Sequence, residues 1–139
     1  MPALRVPLQL RWSDLDAYGH VNNVAIVGLL EQARVLAFWP DADPILPALT
    51  ATSATWVLVA GLEVAYKKVI DHRTEPIVAE VSVIRCAGAS FVIAYRLIVD
   101  DDVCVTATTT MALVDSATGA PTRMGPELLA RLLEFSAAD

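Results

Sequence analysis

Apolar and polar residues alternate from Leu4 to Trp12: Leu4, Val6, Leu8 and Leu10 share one face, Arg5, Gln9 and Arg11 the other. A period of two predicts a half-buried strand. The alternation ends in a polar stretch, and from Asn23 to Trp39 the chain is mostly apolar until Pro40 stops it, which predicts a helix. Asn22 or Asn23 is the expected N-cap. A helix of that length spans about 25 Å. Its first half, Val24-Ala25-Ile26-Val27-Gly28-Leu29-Leu30, is apolar on every face, which predicts a helix enclosed by other structure. Gly28 weakens the helix by about 1 kcal/mol relative to alanine, so a close neighbour is expected there, a strand backbone before a ligand. Glu31 and Arg34 stand three apart and are expected to pair on the helix surface.

Asp41 to Ser53, with Pro44 and Pro47, reads as a loop packed on the surface. The rest is strand-rich. Thr55 to Lys68 reads as one long strand bulged at Gly61. Ile77 to Arg85, Phe91 to Val99 and Cys104 to Val114 follow, separated by turns at Ala87-Gly88-Ala89 and Asp100-Asp101-Asp102. Short turns predict an antiparallel meander. Pro126 opens a short helix through Phe135, with Leu128, Leu129, Leu132 and Leu133 on one side. The order β-α-β-β-β-β-α predicts the α+β class, with an antiparallel five-stranded sheet, one long central helix and a short C-terminal helix.

A chain of 139 residues fits one domain over 1–139. Its 55% hydrophobic content and mean hydropathy of +0.52 are high for a soluble monomer. No apolar run approaches the ~20 residues of a membrane helix, so no membrane partner is expected. The excess instead predicts the subunit contacts of a homodimer or homotetramer. Ten Lys and Arg against sixteen Asp and Glu give a net charge of −6, which argues against nucleic-acid binding. Cys86 and Cys104 form no motif and are expected as reduced core residues. No charged n-region with a cleavage site opens the chain, so a cytoplasmic location is expected. No cofactor is expected.

The polar stretch from Trp12 to Asn23 changes the picture. It gathers Asp14, Asp16 and His20 beside the positive end of the helix, where the first N–H groups have no intrahelical partner. Such donors stabilise a carbonyl oxygen that is becoming an oxyanion. Asp16 is placed to attack that carbon or to activate a water. A thioester suits so sparse a site, because a thiol with a pKa of about 8.5 leaves with little help. An amide needs a strong proton donor, and only His20 is at hand. Asp14 is expected as a turn residue that accepts from backbone two positions on. For Asp16 the competing role is a second turn former; His20 divides between holding the loop and touching substrate. Three hard ligands without a fourth make a metal the lesser reading, and none is expected.

The segment Asp14 to Arg34, DLDAYGHVNNVAIVGLLEQAR, resembles the hotdog-fold thioesterases, in particular the 4-hydroxybenzoyl-CoA thioesterase-like group. The plant acyl-ACP thioesterases carry a similar loop. The shared pattern is D-x-D-x-x-G-H-V-N-N, then a helix containing E-x-x-R. The resemblance implies a hotdog fold, with Asp16 as the catalytic carboxylate and N–H groups near Asn23 as the oxyanion hole. Tyr18 and Gly19 are expected at the substrate. His20 matches an assisting histidine of the plant enzymes, whereas Tyr18 stands where they carry asparagine. Some hotdog thioesterases place their carboxylate on the helix, so Glu31 is a reserve behind Asp16. The helix lacks the histidine motif of the dehydratases of this fold. Asp-Leu-Asp also resembles the haloacid dehalogenase-type phosphatases, but those need threonine or valine at Tyr18 and a larger parallel domain.

Lys67, Lys68 and Arg73, with His72 among them, are the one basic cluster. They are expected to meet the phosphates of coenzyme A, or else to form a solvated strand end. The expectation is therefore a homo-oligomeric acyl thioesterase acting on a small-molecule fatty or aromatic acyl-CoA. The alternative is a non-catalytic acyl-CoA-binding or structural protein on the same fold.

Overall fold

Every expected strand and helix forms, at slightly different bounds. A computed structural model describes residues 3–136, so residues 1–2 and 137–139 of the expected domain lie outside the described residues. The elements are β1 (Leu4–Leu8), α1 (Asn23–Phe38), β2 (Thr55–Tyr66), β3 (Ile77–Ala87), β4 (Ser90–Val99), β5 (Asp102–Asp115) and α2 (Pro126–Leu133). The strands form one sheet in the order β1-β3-β4-β5-β2, with every pair antiparallel. The expected meander is β3-β4-β5, and β1 and β2 add themselves at opposite edges. This is the hotdog α+β arrangement.

Strand ends differ for local reasons. β1 stops short of Trp12 because Trp12–Asp14 coils into a 3-10 turn, in which Asp14 Oδ2 accepts from Arg11 N at 2.9 Å. β2 stops at Tyr66 because the N–H groups of Lys67 and Lys68 both turn to the Cys104 carbonyl, at 2.8 and 3.1 Å. The β2–β5 register slips between Val59 and Gly61, where a bulge was expected.

The core lies between one face of α1 and the sheet. Ile26, Leu29, Leu30, Ala33, Ala37 and Phe38 are buried on the helix side, and Leu8, Ile77, Val81, Ile93 and Leu97 on the other. Burying each large side chain stabilises the fold by roughly 1.5–3 kcal/mol. Helix α1 packs on β1 and β3 and is not enclosed: Val24 is 73% exposed, and Val27 and Leu36 are exposed too. No strand backbone approaches Gly28, which faces open space. The apolar pattern on every face of α1 is therefore matched by burial on one face only. In α2, Leu132 is buried while Leu129 and Leu133 point outward. Residues 41–53 form no helix; the N–H groups of Ile45 and Leu46 fold back onto the Phe38 carbonyl, at 2.9 and 3.2 Å. That loop closes the C-terminal end of α1. The motif loop closes the other.

Candidate active site

The loop between β1 and α1 is held by its own side chains. Asp14, only 3% exposed, accepts from Arg11 Nη2 at 2.8 Å and Arg11 Nε at 3.1 Å as well as from Arg11 N. Burial pushes its carboxyl up. The Arg11 hydrogen bonds and charge, with a contribution from His72, outweigh that and hold it below the usual carboxylate range. The Asp14 carbonyl also accepts from Asn22 N at 2.7 Å, which ties the two ends of the loop together. Asp14 is thus structural, but it bonds backbone three residues back rather than two ahead.

Asp16 makes the forward turn instead. Its Oδ1 accepts from Tyr18 N at 2.8 Å and His20 N at 3.3 Å, and Gly19 turns the chain at φ +78°. Both bonds use Oδ1, so Oδ2 carries no hydrogen bond among the described residues and is the oxygen available for chemistry. Val21 N donates to the Ile70 carbonyl at 2.8 Å, and His20 Nε2 lies 3.7 Å from Asp71 Oδ1. These contacts fasten the loop to the segment that follows β2. Asn22 is the N-cap, its Oδ1 accepting from Val24 N at 2.7 Å, and Ile26 N donates to the Asn22 carbonyl. The N–H groups of Asn23 and Ala25 are left without intrahelical acceptors.

These groups converge. A recess of about 310 Å³ is lined by Asp16, His20, Asn23, Tyr66, Lys67 and Lys68, over Ile26, Ile70 and Val105. Tyr18 and Gly19 do not line it, and the Tyr18 side chain projects into solvent. Arg73 lies next door, in a recess of about 540 Å³ that shares Lys68, Val69 and Ile70 with the first. There Arg73 Nη1 meets Asp100 Oδ1 at 2.9 Å. Lys68 Nζ lies 3.3 Å from Asp102 Oδ2, whereas Lys67 has no ion pair among the described residues. Sequence reasoning missed Tyr66, whose Oη donates to the Asn23 carbonyl at 3.2 Å and ties the end of β2 to the start of α1. Its one signal was its place beside the lysine pair.

A family profile described as the thioesterase-like superfamily matches residues 10–132, which includes the whole site. The chain belongs to this superfamily. Membership in the thioesterase-like superfamily makes it a thioester hydrolase. A thioesterase from Thermus thermophilus, complexed with coenzyme A and Zn, is similar with a TM-score of 0.78 at 22% identity, over 92% of this chain and 95% of its own. DHNA-CoA thioesterase from Staphylococcus aureus is similar with a TM-score of 0.82 at 18% identity, over 96% of this chain and 91% of its own. Both likenesses are of fold. No curated protein matches the chain. Among the described residues no three His, Cys, Asp or Glu side chains are grouped to hold a metal ion.

Two further recesses flank α1 on this superfamily member. The larger, about 750 Å³, runs between β1 and the exposed face of α1 past Gln9, Arg11, Val24, Gly28 and Gln32. Asp14 borders it with both carboxylate oxygens held by Arg11, and Glu31, the reserve carboxylate, lines it as well. The smaller, about 170 Å³, lies between α1 and β2 and contains Arg34 and Thr109. Arg34 is not the surface residue expected, being 7% exposed. Its Nη1 donates to Tyr95 Oη at 3.2 Å, and that oxygen lies 2.6 Å from Thr109 Oγ1. Glu31 Oε2 stays 3.7 Å from Arg34 Nη2, on an exposed side chain.

Proposed function

We propose that the protein hydrolyses a fatty or aromatic acyl-CoA, with Asp16 as nucleophile or general base. The observation that carries this reading is the single recess shared by Asp16, whose Oδ2 is unbonded among the described residues, the start of α1 and two lysines. The thioester carbonyl oxygen sits at the unpaired N–H group of Asn23, where the helix end favours developing negative charge. Asp16 attacks the carbonyl carbon, or takes a proton from the water that does. The C–S bond breaks, water is added across it, and a carboxylic acid and a thiol leave. With a thiol pKa of about 8.5, the leaving group needs no strong acid. Lys67 and Lys68 at the rim take the phosphates of coenzyme A. His20 anchors the loop from its place beside Asp71. Tyr18 and Gly19 form the outer lip where substrate enters. The working form is a homodimer or homotetramer in the cytoplasm, which two unpaired cysteines, Cys86 and Cys104, fit.

Asp16→Asn tests this. The amide keeps the Oδ1 acceptor and its turn while removing the charge, so the fold should persist. Thiol release from acyl-CoA should fall by several orders of magnitude, while binding measured by calorimetry survives. Release at the unaltered rate would sink the assignment to Asp16. Binding without any release by the unaltered protein would sink acyl-CoA hydrolysis as its function.

A further inference from the structure

Helix α1 and strand β2 flank two recesses, one holding Asp16 and the other Arg34. Asn23, Ile26, Leu30 and Arg34 come one after another on the helix side, lining the two recesses that β2 also lines. On the sheet side, Tyr66 pairs with Val105 and Leu62 with Thr109. The reactive recess and the Arg34 recess thus sit over rungs about 13 Å apart along the strand.

The polarity of the far end runs in one direction. A guanidinium has only donors, so Tyr95 Oη accepts from Arg34 Nη1. The tyrosine is fully buried, and its own proton finds Thr109 Oγ1 at 2.6 Å. Thr109, which lines the recess, is then left with a proton to give. Arg34 brings a buried positive charge whose neighbouring carboxylate, Glu31, is exposed and loosely placed. Around them stand apolar Val27, Leu30, Val59 and Leu62, with Glu31 also on the lining. Such an end poorly suits a methyl-terminated chain, which would strip water from a cation and offer no acceptor in return.

We propose that the two recesses act as one acyl groove, which selects acyl groups whose far end is a carboxylate, the coenzyme A half-thioesters of dicarboxylic acids. With the thioester at Asp16, the distal carboxylate pairs with Arg34 and accepts from Thr109. A guanidinium fork matches carboxylate geometry, and the apolar walls hold the methylenes between. Chain length is then set by the distance between the two recesses. This specificity rests on the thioester chemistry proposed at Asp16.

The experiment compares kcat/KM for the mono-coenzyme A thioesters of adipic, suberic and sebacic acids with hexanoyl-, octanoyl- and decanoyl-CoA. The carboxylate-ended member should be preferred by roughly 10- to 100-fold at the length that matches the groove. Arg34→Met should bring that ratio toward one. Because Arg34 is buried, Thr109→Val supplies a second variant that leaves the ion in place and should remove part of the preference. Equal or better hydrolysis of the methyl-ended series at every length overturns the inference and leaves the proposed function standing. A preference unchanged in both folded variants also overturns it. Failure to hydrolyse either series, and benzoyl-CoA as an aromatic control, overturns the proposed function itself.

Discussion

Asp14 and Asp16 stand two residues apart, share one charge and one loop, and have opposite fates. Arg11 decides between them: its fork and backbone N–H saturate Asp14 and leave Asp16 Oδ2 bare. The motif set the two aspartates apart, and the structure does so too: one is bonded at both oxygens, the other at one. The turn chemistry was not legible in the sequence, because spacing alone does not say whether an aspartate bonds forward or back. A stability prediction follows from the shift of Asp14. Its folded carboxyl titrates below the ordinary value, so the stabilisation is present above pH ~3.9 and is lost as pH falls through the folded value. Asp14→Asn should cost about 1–2 kcal/mol near neutral pH, discounted for the exposure of Arg11. Thermal melts down to about pH 2 should show the two proteins converging as both carboxyl states become neutral. A constant gap across that range would count against the ion pair.

At the scale of elements, the site is a junction where the end of β2 meets the start of α1. Both lysines and the motif loop were visible in the sequence, each beside its own element. That they meet was not, because the β2–β5 register and the Ile70 carbonyl that receives Val21 are long-range facts. The same junction divides the basic cluster expected to hold phosphates. Arg73 is 25% exposed at its side chain and clipped to Asp100, in the turn where Asp100 and Asp101 adopt positive φ. Lys67 faces the reactive recess with no such partner, and the Lys68–Asp102 pair is exposed enough to exchange for a phosphate at little cost. Lys67→Glu with Lys68→Glu should therefore raise KM for acyl-CoA about tenfold or more and leave acyl-N-acetylcysteamine hydrolysis nearly unchanged. Added salt should reproduce part of that loss in the unaltered protein. Arg73→Glu should instead lower the melting temperature. Equal loss on both substrates from the lysine changes would make the pair structural.

For the whole molecule, the informative mismatch is the helix expected to be enclosed and found open. Apolar patterning reports that a face is buried somewhere, not by which chain. On this chain the uncovered faces lie together. β2, a strand of 12 residues, has β5 on one side and a bare edge on the other. Trp56, Leu58, Val59 and Leu62 on it are exposed, as is Val27 on α1, which shares the Arg34 recess with it. A long apolar edge left in water is an aggregation site unless another strand or chain covers it. A second copy would supply both needs, pairing edge to edge and closing the helix face, over an area on the order of 1,600 Å². The groove from Asp16 to Arg34 would then be walled on its open side by the partner. Specific activity should accordingly fall on dilution below the dimer dissociation constant. Leu62→Glu, exposed in the single chain and costing it little, should shift light scattering toward the monomer with the circular dichroism spectrum intact. Thiol release should drop in proportion to the dimer lost. A Leu62→Glu monomer that keeps full activity would show each chain to be complete on its own, and the open helix face would need another explanation.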